Sequence, residues 1–434
     1  MHATLFQVDG KLQQVRSLAV IIVLALSLLC AWFPTAQAID KPASESLSAK
    51  DRIEIFETIW KTINDEYYNY NPAFADWVAV RERYRPRIEG TRDDDEFYTL
   101  IKQMLLRELH DFHTTFAAPN EQPRSNGLSV SEVEGKIAVV RVEPDSEAVR
   151  AGVQPGMVVR TFNGKPVEER IAQLQTTLGH SSNAQADRFL FYSTFLNGPL
   201  NEPLQLGLER ADGTQFDVVM ARHLGSRTSS TLISQRMPSG FYYLKIQGAF
   251  VSPVDEQFKS EFANFRDALG LIIDLRGVSG GNVHDIGLKI ANYFFPAKIS
   301  FGRMINRSGE TPAFHTWSAG GGNQIYKGPV VILIDESVRS AGEVFADGFQ
   351  ENGRATVIGV QSCGCVADRN SKKVKGGGLL YYSHLAYLSG KGHKLEGDGV
   401  VPDKIVPLTI TALRQGRDAM LDEAERTLKT LKSH

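Results

Sequence analysis

At 434 residues the chain is too long for a single compact core, so two or three domains are expected. Apolar residues at 42% and charged residues at 23% are the ordinary proportions of a soluble globular protein. A formal net charge of -2 excludes a global pull toward nucleic acid or anionic membrane, and no nucleic-acid partner is expected.

Lys11 and Arg16 precede an apolar run from Leu18 to Phe33, and Ala36-Gln37-Ala38 follows with small residues where a signal peptidase reads. Residues 1–38 therefore read as a cleavable export signal, the run being short for a helix that must cross roughly 30 Å of hydrocarbon. An uncleaved anchor is the alternative. Leu29 before Cys30 speaks against a lipid-modified cysteine. After cleavage a periplasmic or secreted protein with no stable membrane insertion is expected. Only Cys363 and Cys365 then remain, on either side of Gly364. Two readings stay open for them: a tight disulfide, or two unpaired buried side chains. No further ligand cluster accompanies the pair, so no metal is expected, and no motif calls for an organic cofactor.

Residues 39–47 read as a polar linker. Ser48-x-x-Asp51 has the form of a helix start, and Ile53, Phe56, Trp60, Ile63 and Tyr67 recur at helical spacing. A second helix is predicted from near Ala75. A third begins near Asp93, with Phe97, Leu100, Ile101, Met104, Leu105 and Leu109 on one face. Residues 39–122 thus form a helical domain ending in Leu109-His110-Asp111-Phe112-His113-Thr114.

From Gly127 the texture changes to strands. Ile137–Val142 is a short apolar run, a short helix surrounds Ala148, and Asn163-Gly164 signals a hairpin. Residues 123–222 resemble a PDZ domain of the bacterial protease type. The resemblance implies that Gly127-Leu128-Ser129-Val130 forms the loop that captures a peptide's C-terminal carboxylate. Residues 171–196 read as an inserted helical stretch.

Residues 223–434 alternate strand and helix, with strands over 240–246, 271–275, 330–334 and 355–359. Helices are predicted over Val254–Ala268 and from Ser340, and a closing helix from about Ala412 carries Leu413, Met420, Leu421, Ala424, Leu428 and Leu431. The chain is therefore a multidomain α/β protein: a helical start, a PDZ-like β-rich module and an α/β core.

Three segments of that core carry a family resemblance. Asp274-Leu275-Arg276-Gly277-Val278-Ser279-Gly280-Gly281 resembles the glycine turn of the C-terminal-processing (tail-specific) and tricorn-core serine peptidases, with Val278 where asparagine is usual. Ser340-Ala341-Gly342-Glu343, with Gln350–Ala355, resembles their nucleophile helix and the turn after it. Glu396-Gly397-Asp398-Gly399-Val400-Val401-Pro402-Asp403 resembles the closing segment of the tricorn-like branch. The resemblance implies a crotonase-like core and Ser340 as nucleophile, although Ser340-x-x-Glu343 taken alone is a helix capping box. It also implies an oxyanion hole from Gly280 or Gly281 with Ala341.

The tail-specific branch carries its basic lysine twenty-five residues beyond the nucleophile. That position is Cys365, and Lys372, Lys373 and Lys375 are out of register. The tricorn-like branch instead uses a histidine from the helical domain and a glutamate from the closing segment, matched here by His113 and Glu396. His110 reads as structural, and His284 as an ordinary helix histidine. The resemblance thus implies an exported Ser-His-Glu endopeptidase acting on peptides or protein tails. The alternative is a catalytically inactive binding protein on the same fold, since fold alone does not imply proteolysis. A redox role for the cysteine pair lacks a thioredoxin-like setting.

Overall fold

The computed structural model describes residues 46–432, apart from 69–75, 120, 122–123, 126 and 225–228. The export signal expected over residues 1–38 lies outside the described residues. Among the described residues no helix is long and apolar enough to cross a membrane.

Helix α1 (Ala49–Glu66) starts at Ser48, whose hydroxyl accepts from the Asp51 N–H while the Asp51 carboxylate accepts from the Ser48 N–H, both at 3.1 Å. Its buried face is Ile55, Phe56, Ile59 and Ile63, rotated from the predicted stripe, so that Ile53 and Trp60 lie at the margin, half-buried. The cause lies in α2 (Trp77–Glu89), which draws Trp60 sideways. Trp60 Nε1 donates to the Trp77 carbonyl and Trp77 Nε1 to the Trp60 carbonyl, at 2.7 and 2.9 Å. Helix α3 (Asp94–Leu109) is capped by Asp93 and ends at His110 in the left-handed conformation. These helices close no core of their own. Phe56, Phe97 and Met104 share one with Phe116, Leu380 and Tyr382 from strands described below.

Strand β1 (Thr115–Ala117) leads into a sheet of β2 (Leu128–Val133), β3 (Lys136–Val142), β4 (Val158–Phe162), β5 (Leu204–Glu209) and β6 (Gln215–Met220), paired in that order. Between β4 and β5 the stretch expected to be helical forms α4 (Val167–Thr177) and α5 (Ala184–Thr194). Helix α5 leans on the outer strand: Arg188 Nη2 donates to the Glu132 carbonyl at 2.6 Å and Tyr192 Oη to the Glu132 carboxylate at 3.0 Å.

The core sheet has six strands in the order β7 (Thr231–Arg236), β8 (Tyr242–Gln247), β9 (Leu271–Asp274), β12 (Val330–Ile334), β13 (Thr356–Gly359) and β16 (Lys404–Ile405). Only β7/β8 is antiparallel. All residues of β9 and β12 are buried, as central parallel strands covered on both faces require. On one face α6 (Val254–Phe265) and α7 (Ala341–Glu351) pack Phe258, Phe265, Phe345 and Phe349 into the main cluster. A second sheet runs β1, β15 (Leu379–Leu388), β10 (Ile299–Ile305), β11 (Thr316–Ala319), with β14 (Ala367–Lys373) also on β15.

The predicted closing helix is two helices, α8 (Ile410–Arg414) and α9 (Ala419–Lys432). Gly416, at φ 61°, turns the chain between them. The break lets one apolar pattern serve two cores. Leu413 packs with Val133, Ala138 and Val158 of the sheet that contains β2–β6, whereas Met420, Ala424 and Leu428 cover Ile272, Val331 and Ile358 of the core sheet.

Candidate active site

Strand β12 delivers the chain to a turn whose last residue, Ser340, begins α7 with φ 54° and ψ -121°. A side-chain-bearing residue seldom adopts that backbone, and such strain concentrates at functional positions. It is held by neighbours. The Ser340 N–H donates to the Cys365 carbonyl at 2.8 Å and to the Glu343 carboxylate at 3.0 Å. Gly280 lies against it: a Cβ on Gly280 would stand 3.0 Å from Ser340 Cβ and 3.4 Å from its hydroxyl oxygen. Only glycine fits there, and its φ of 110° asks for glycine as well. The turn is pinned through Phe250, whose N–H donates to the Gly280 carbonyl and whose carbonyl accepts from Asn282, both at 2.8 Å. Gly281 pairs with Phe250 in an isolated bridge, and Ala341 is buried at the first helical position. Val278 is fully buried and packs beneath Gly342, so at this place the turn is filled by an apolar side chain rather than an amide. Below it, burial pushes the Asp274 carboxyl up. Bonds from Arg276 and the Lys245 charge outweigh that and hold it at about 2.

Glu343 does more than cap a helix. It is fully buried and accepts from Ser362 Oγ at 2.5 Å, the Gly364 N–H at 2.7 Å and the Cys365 N–H at 3.0 Å, besides Ser340. Burial still pushes its carboxyl up to about 7 against these donors. Cys363 and Cys365 are joined by a disulfide across Gly364. The loop they close is tied on every side: the Cys363 N–H donates to the Val338 carbonyl, the Cys363 carbonyl accepts from Asn183 Nδ2, and the Val366 N–H donates to the Glu396 carboxylate.

His113 arrives from the end of α3. Asp111 shapes that approach, its carboxylate accepting from the His113 N–H at 2.8 Å and from Thr114 Oγ1 at 2.5 Å. The imidazole is buried and its Nδ1 has no hydrogen-bond partner among the described residues. Burial pushes its pKa down to about 4; the Arg369 and Arg339 charges act the same way and Asp111 opposes them. Burial and the Asp111 charge push Glu396 up to about 8, so at neutral pH His113 is uncharged and Glu396 mostly protonated. Ser340, His113 and Glu396 are gathered through the segments that carry them, yet no hydrogen bond joins any two of the three among the described residues. His110 donates through Nδ1 to the His180 carbonyl, 2.9 Å away, and His284 sits in a π-helical turn beside Asp285.

The inserted stretch forms a wall of this region, which no local pattern announces. Asn183 caps α5 with its side-chain oxygen while its amide nitrogen holds the disulfide loop. Ser182 Oγ accepts from the Phe112 N–H, and Phe189 lies under the Arg339 guanidinium, 4.6 Å from charge to ring centre. The residues expected to form the peptide loop stand at the start of β2. Gly127 accepts from the Glu143 N–H at 2.8 Å, Leu128 and Val130 face the module's core, and Ser129 lies between them on β2. A cavity of about 660 Å³ opens between the Glu132 end of that sheet, α4 and α5, lined by Val159, Ile171, Arg188 and Tyr192 among others. Among the described residues no group of three or more histidine, cysteine and acidic side chains is placed to hold a metal.

Residues 241–406 match the model of peptidase family S41, and residues 48–106 match the tricorn protease C1 domain. A carboxyl-terminal-processing protease of Synechocystis sp. is 22% identical over 80% of this chain and 79% of its own. Mature CPAF superposes with a TM-score of 0.71 at 13% identity, over 89% of this chain and 98% of that one. The tricorn protease gives 0.51 at 16% identity over 89% of this chain and 37% of its own. These likenesses carry the fold.

Proposed function

The chain belongs to peptidase family S41, a family of serine peptidases, and from that premise we propose that it hydrolyses peptide bonds through a Ser340–His113–Glu396 triad. The observation that carries this reading is the strained backbone of Ser340 at a helix N-terminus, with Gly280 against its side chain. The Ala341 N–H at the first helical position and the positive end of α7 lie there, where a tetrahedral oxyanion would form. Ser340 Oγ attacks the scissile carbonyl, and Gly280, Gly281 and Ala341 supply the donors to its oxygen. His113 takes the hydroxyl proton and returns it to the leaving amine, and its uncharged state at neutral pH suits a base. Glu396, once ionised, orients the ring and stabilises its charged form.

The gap among the three residues calls for one movement. His113 closes on Ser340 and takes its hydroxyl proton, and Glu396, which is partly open to solvent, releases its own proton to water and pairs with the charged imidazole. Residues 123–222 act in this reading as a PDZ-like module that presents protein tails, and the chain works outside the cytoplasm after loss of residues 1–38. The core over 223–434 is read as crotonase-like.

Fluorophosphonate labelling of the purified mature protein tests the triad, with Ser340→Ala and His113→Ala as controls. Labelling that requires both residues is expected. Labelling that survives His113→Ala would mean another base. No labelling of the folded protein would favour a binding protein on the same fold.

A further inference from the structure

Arginines buried elsewhere in the molecule are well supplied with acceptors. Arg276 binds the carboxylates of Asp274 and Asp418, Arg354 donates to three carbonyls, and Arg52 donates to the Thr91 and Leu47 carbonyls beside Asp94. Arg339, next to Ser340, is different. Of its five N–H donors, one hydrogen bond is formed, from Nη1 to the Ser337 carbonyl at 3.2 Å. It has no ion-pair partner among the described residues. Its guanidinium lies 5.7 Å from the centre of Phe112 and 4.6 Å from that of Phe189, and both rings, like Arg339, are partly open to solvent.

A second cation is carried on the strand behind His113: Arg369 pairs with Ser383, whose N–H donates to Thr114 Oγ1 at 3.1 Å. Arg369, exposed on β14 and stacked 4.5 Å from the centre of Tyr381, also has no carboxylate partner among the described residues, and its charge is felt by both Arg339 and His113. Burial pushes the Arg339 pKa down to about 10, with Glu343 and Asp335 opposing and Arg369 assisting, which leaves it charged at neutral pH. The half-buried Arg339 guanidinium, next to Ser340 and flanked by aromatic rings, is costly without an anion and well shaped for one, and the exposed Arg369 adds a second cation to the region.

We propose that Arg339, assisted by Arg369, forms a carboxylate-binding subsite beside Ser340, so that the preferred substrates carry a carboxylate close to the scissile bond. The carboxylate is either the free end of a chain or an Asp or Glu side chain. Phe112 and Phe189 give the subsite an apolar wall, and the subsite rests on the reading of Ser340 as nucleophile.

The test uses peptide pairs that differ in a single charge, one pair ending in a free acid or an amide, the other carrying Glu or Gln near the cleaved bond. Binding to the Ser340→Ala protein is read by fluorescence anisotropy, and turnover by the wild type is followed in parallel. The acid form of at least one pair should bind roughly tenfold or more tighter, with the difference appearing in KM rather than kcat. A preference within the first pair assigns the chain end, and within the second an acidic side chain. Arg339→Gln should erase the preference, Arg339→Lys keep part of it, and Arg369→Gln weaken it. Equal binding within both pairs by Ser340→Ala overturns the proposal, and that comparison stands even if Arg339→Gln fails to fold. Acid preference without any labelling or cleavage would count against the peptidase reading alone, whereas cleavage without acid preference would count against the subsite alone.

Discussion

Around Ser340 the polar groups are matched: the Glu343 carboxylate takes four donors, the Cys365 carbonyl takes the Ser340 N–H, and the glycine turn is pinned to Phe250. Around His113 they are not. Among the described residues the imidazole Nδ1 has no partner, Glu396 is pushed toward its protonated form, and Arg339 makes one hydrogen bond. The Ser340 turn is therefore built in advance, on segments that satisfy each other, while the His113 side is held in an arrangement that costs free energy until a partner arrives, as the proposed roles of nucleophile and base would ask. Preorganised donors and an adjustable proton acceptor place different demands on the same fold.

The largest effect should come from the unmatched side. His113→Ala is expected to lower turnover by roughly 10²–10⁴-fold while leaving the melting temperature at neutral pH nearly unchanged. Its pH signature has a definite sign. The unfolded imidazole takes up a proton near 6.5 and the folded one only near 4, so its contribution to stability is intact above 6.5 and is lost as pH falls toward 4. Urea midpoints followed down that range should fall more steeply for the wild type than for His113→Ala; parallel slopes would move the titrating group elsewhere. The acid limb of kcat/KM should likewise lie below the ordinary histidine value.

Glu343→Ala strikes the matched side and takes the acceptor from three buried donors, Ser362 Oγ and the Gly364 and Cys365 N–H groups, while the Ser340 N–H keeps the Cys365 carbonyl. A loss of about 3 kcal/mol in urea unfolding is expected, with slower labelling of Ser340. Full stability in that variant would mean that the comparison is drawn in the wrong place. Cys363→Ser should cost about 1–2 kcal/mol, and calorimetry should show that reductant lowers the melting temperature of the wild type but not of the variant. Gly416→Ala, far from the chemistry, should cost about 1 kcal/mol through its positive φ and leave labelling untouched.

Much of this frame is legible in the sequence. Periodicity finds α1, α3, α6 and α7, and unbroken apolar runs find β9 and β12, because local spacing reflects which face meets the core. The closing helix misleads for a physical reason: Leu413 and Leu428 fall on one apparent stripe, yet Gly416 sends them to different cores. Motif resemblance points to Ser340 and the glycine turn. It gives no hint that Glu343 holds the disulfide loop, or that Phe189 reaches Arg339, since both contacts join segments remote in sequence. Arg339 gives no such signal either, since Asp335 and Glu343 stand four residues to either side of it and read as its local partners, yet neither forms an ion pair with it among the described residues.

The disulfide loop also limits where such a site can go next. A lysine at position 365, as the tail-specific branch would have it, displaces a side chain with no exposed surface and strands Cys363 as a lone thiol. It would also disturb the carbonyl that fixes Ser340 and the N–H that serves Glu343. Exchanging one proton acceptor for the other is thus not a single step. In this chain it would ask Cys363, Cys365, Asn183 and Glu396 to change together, because each holds the loop that fixes the Ser340 backbone.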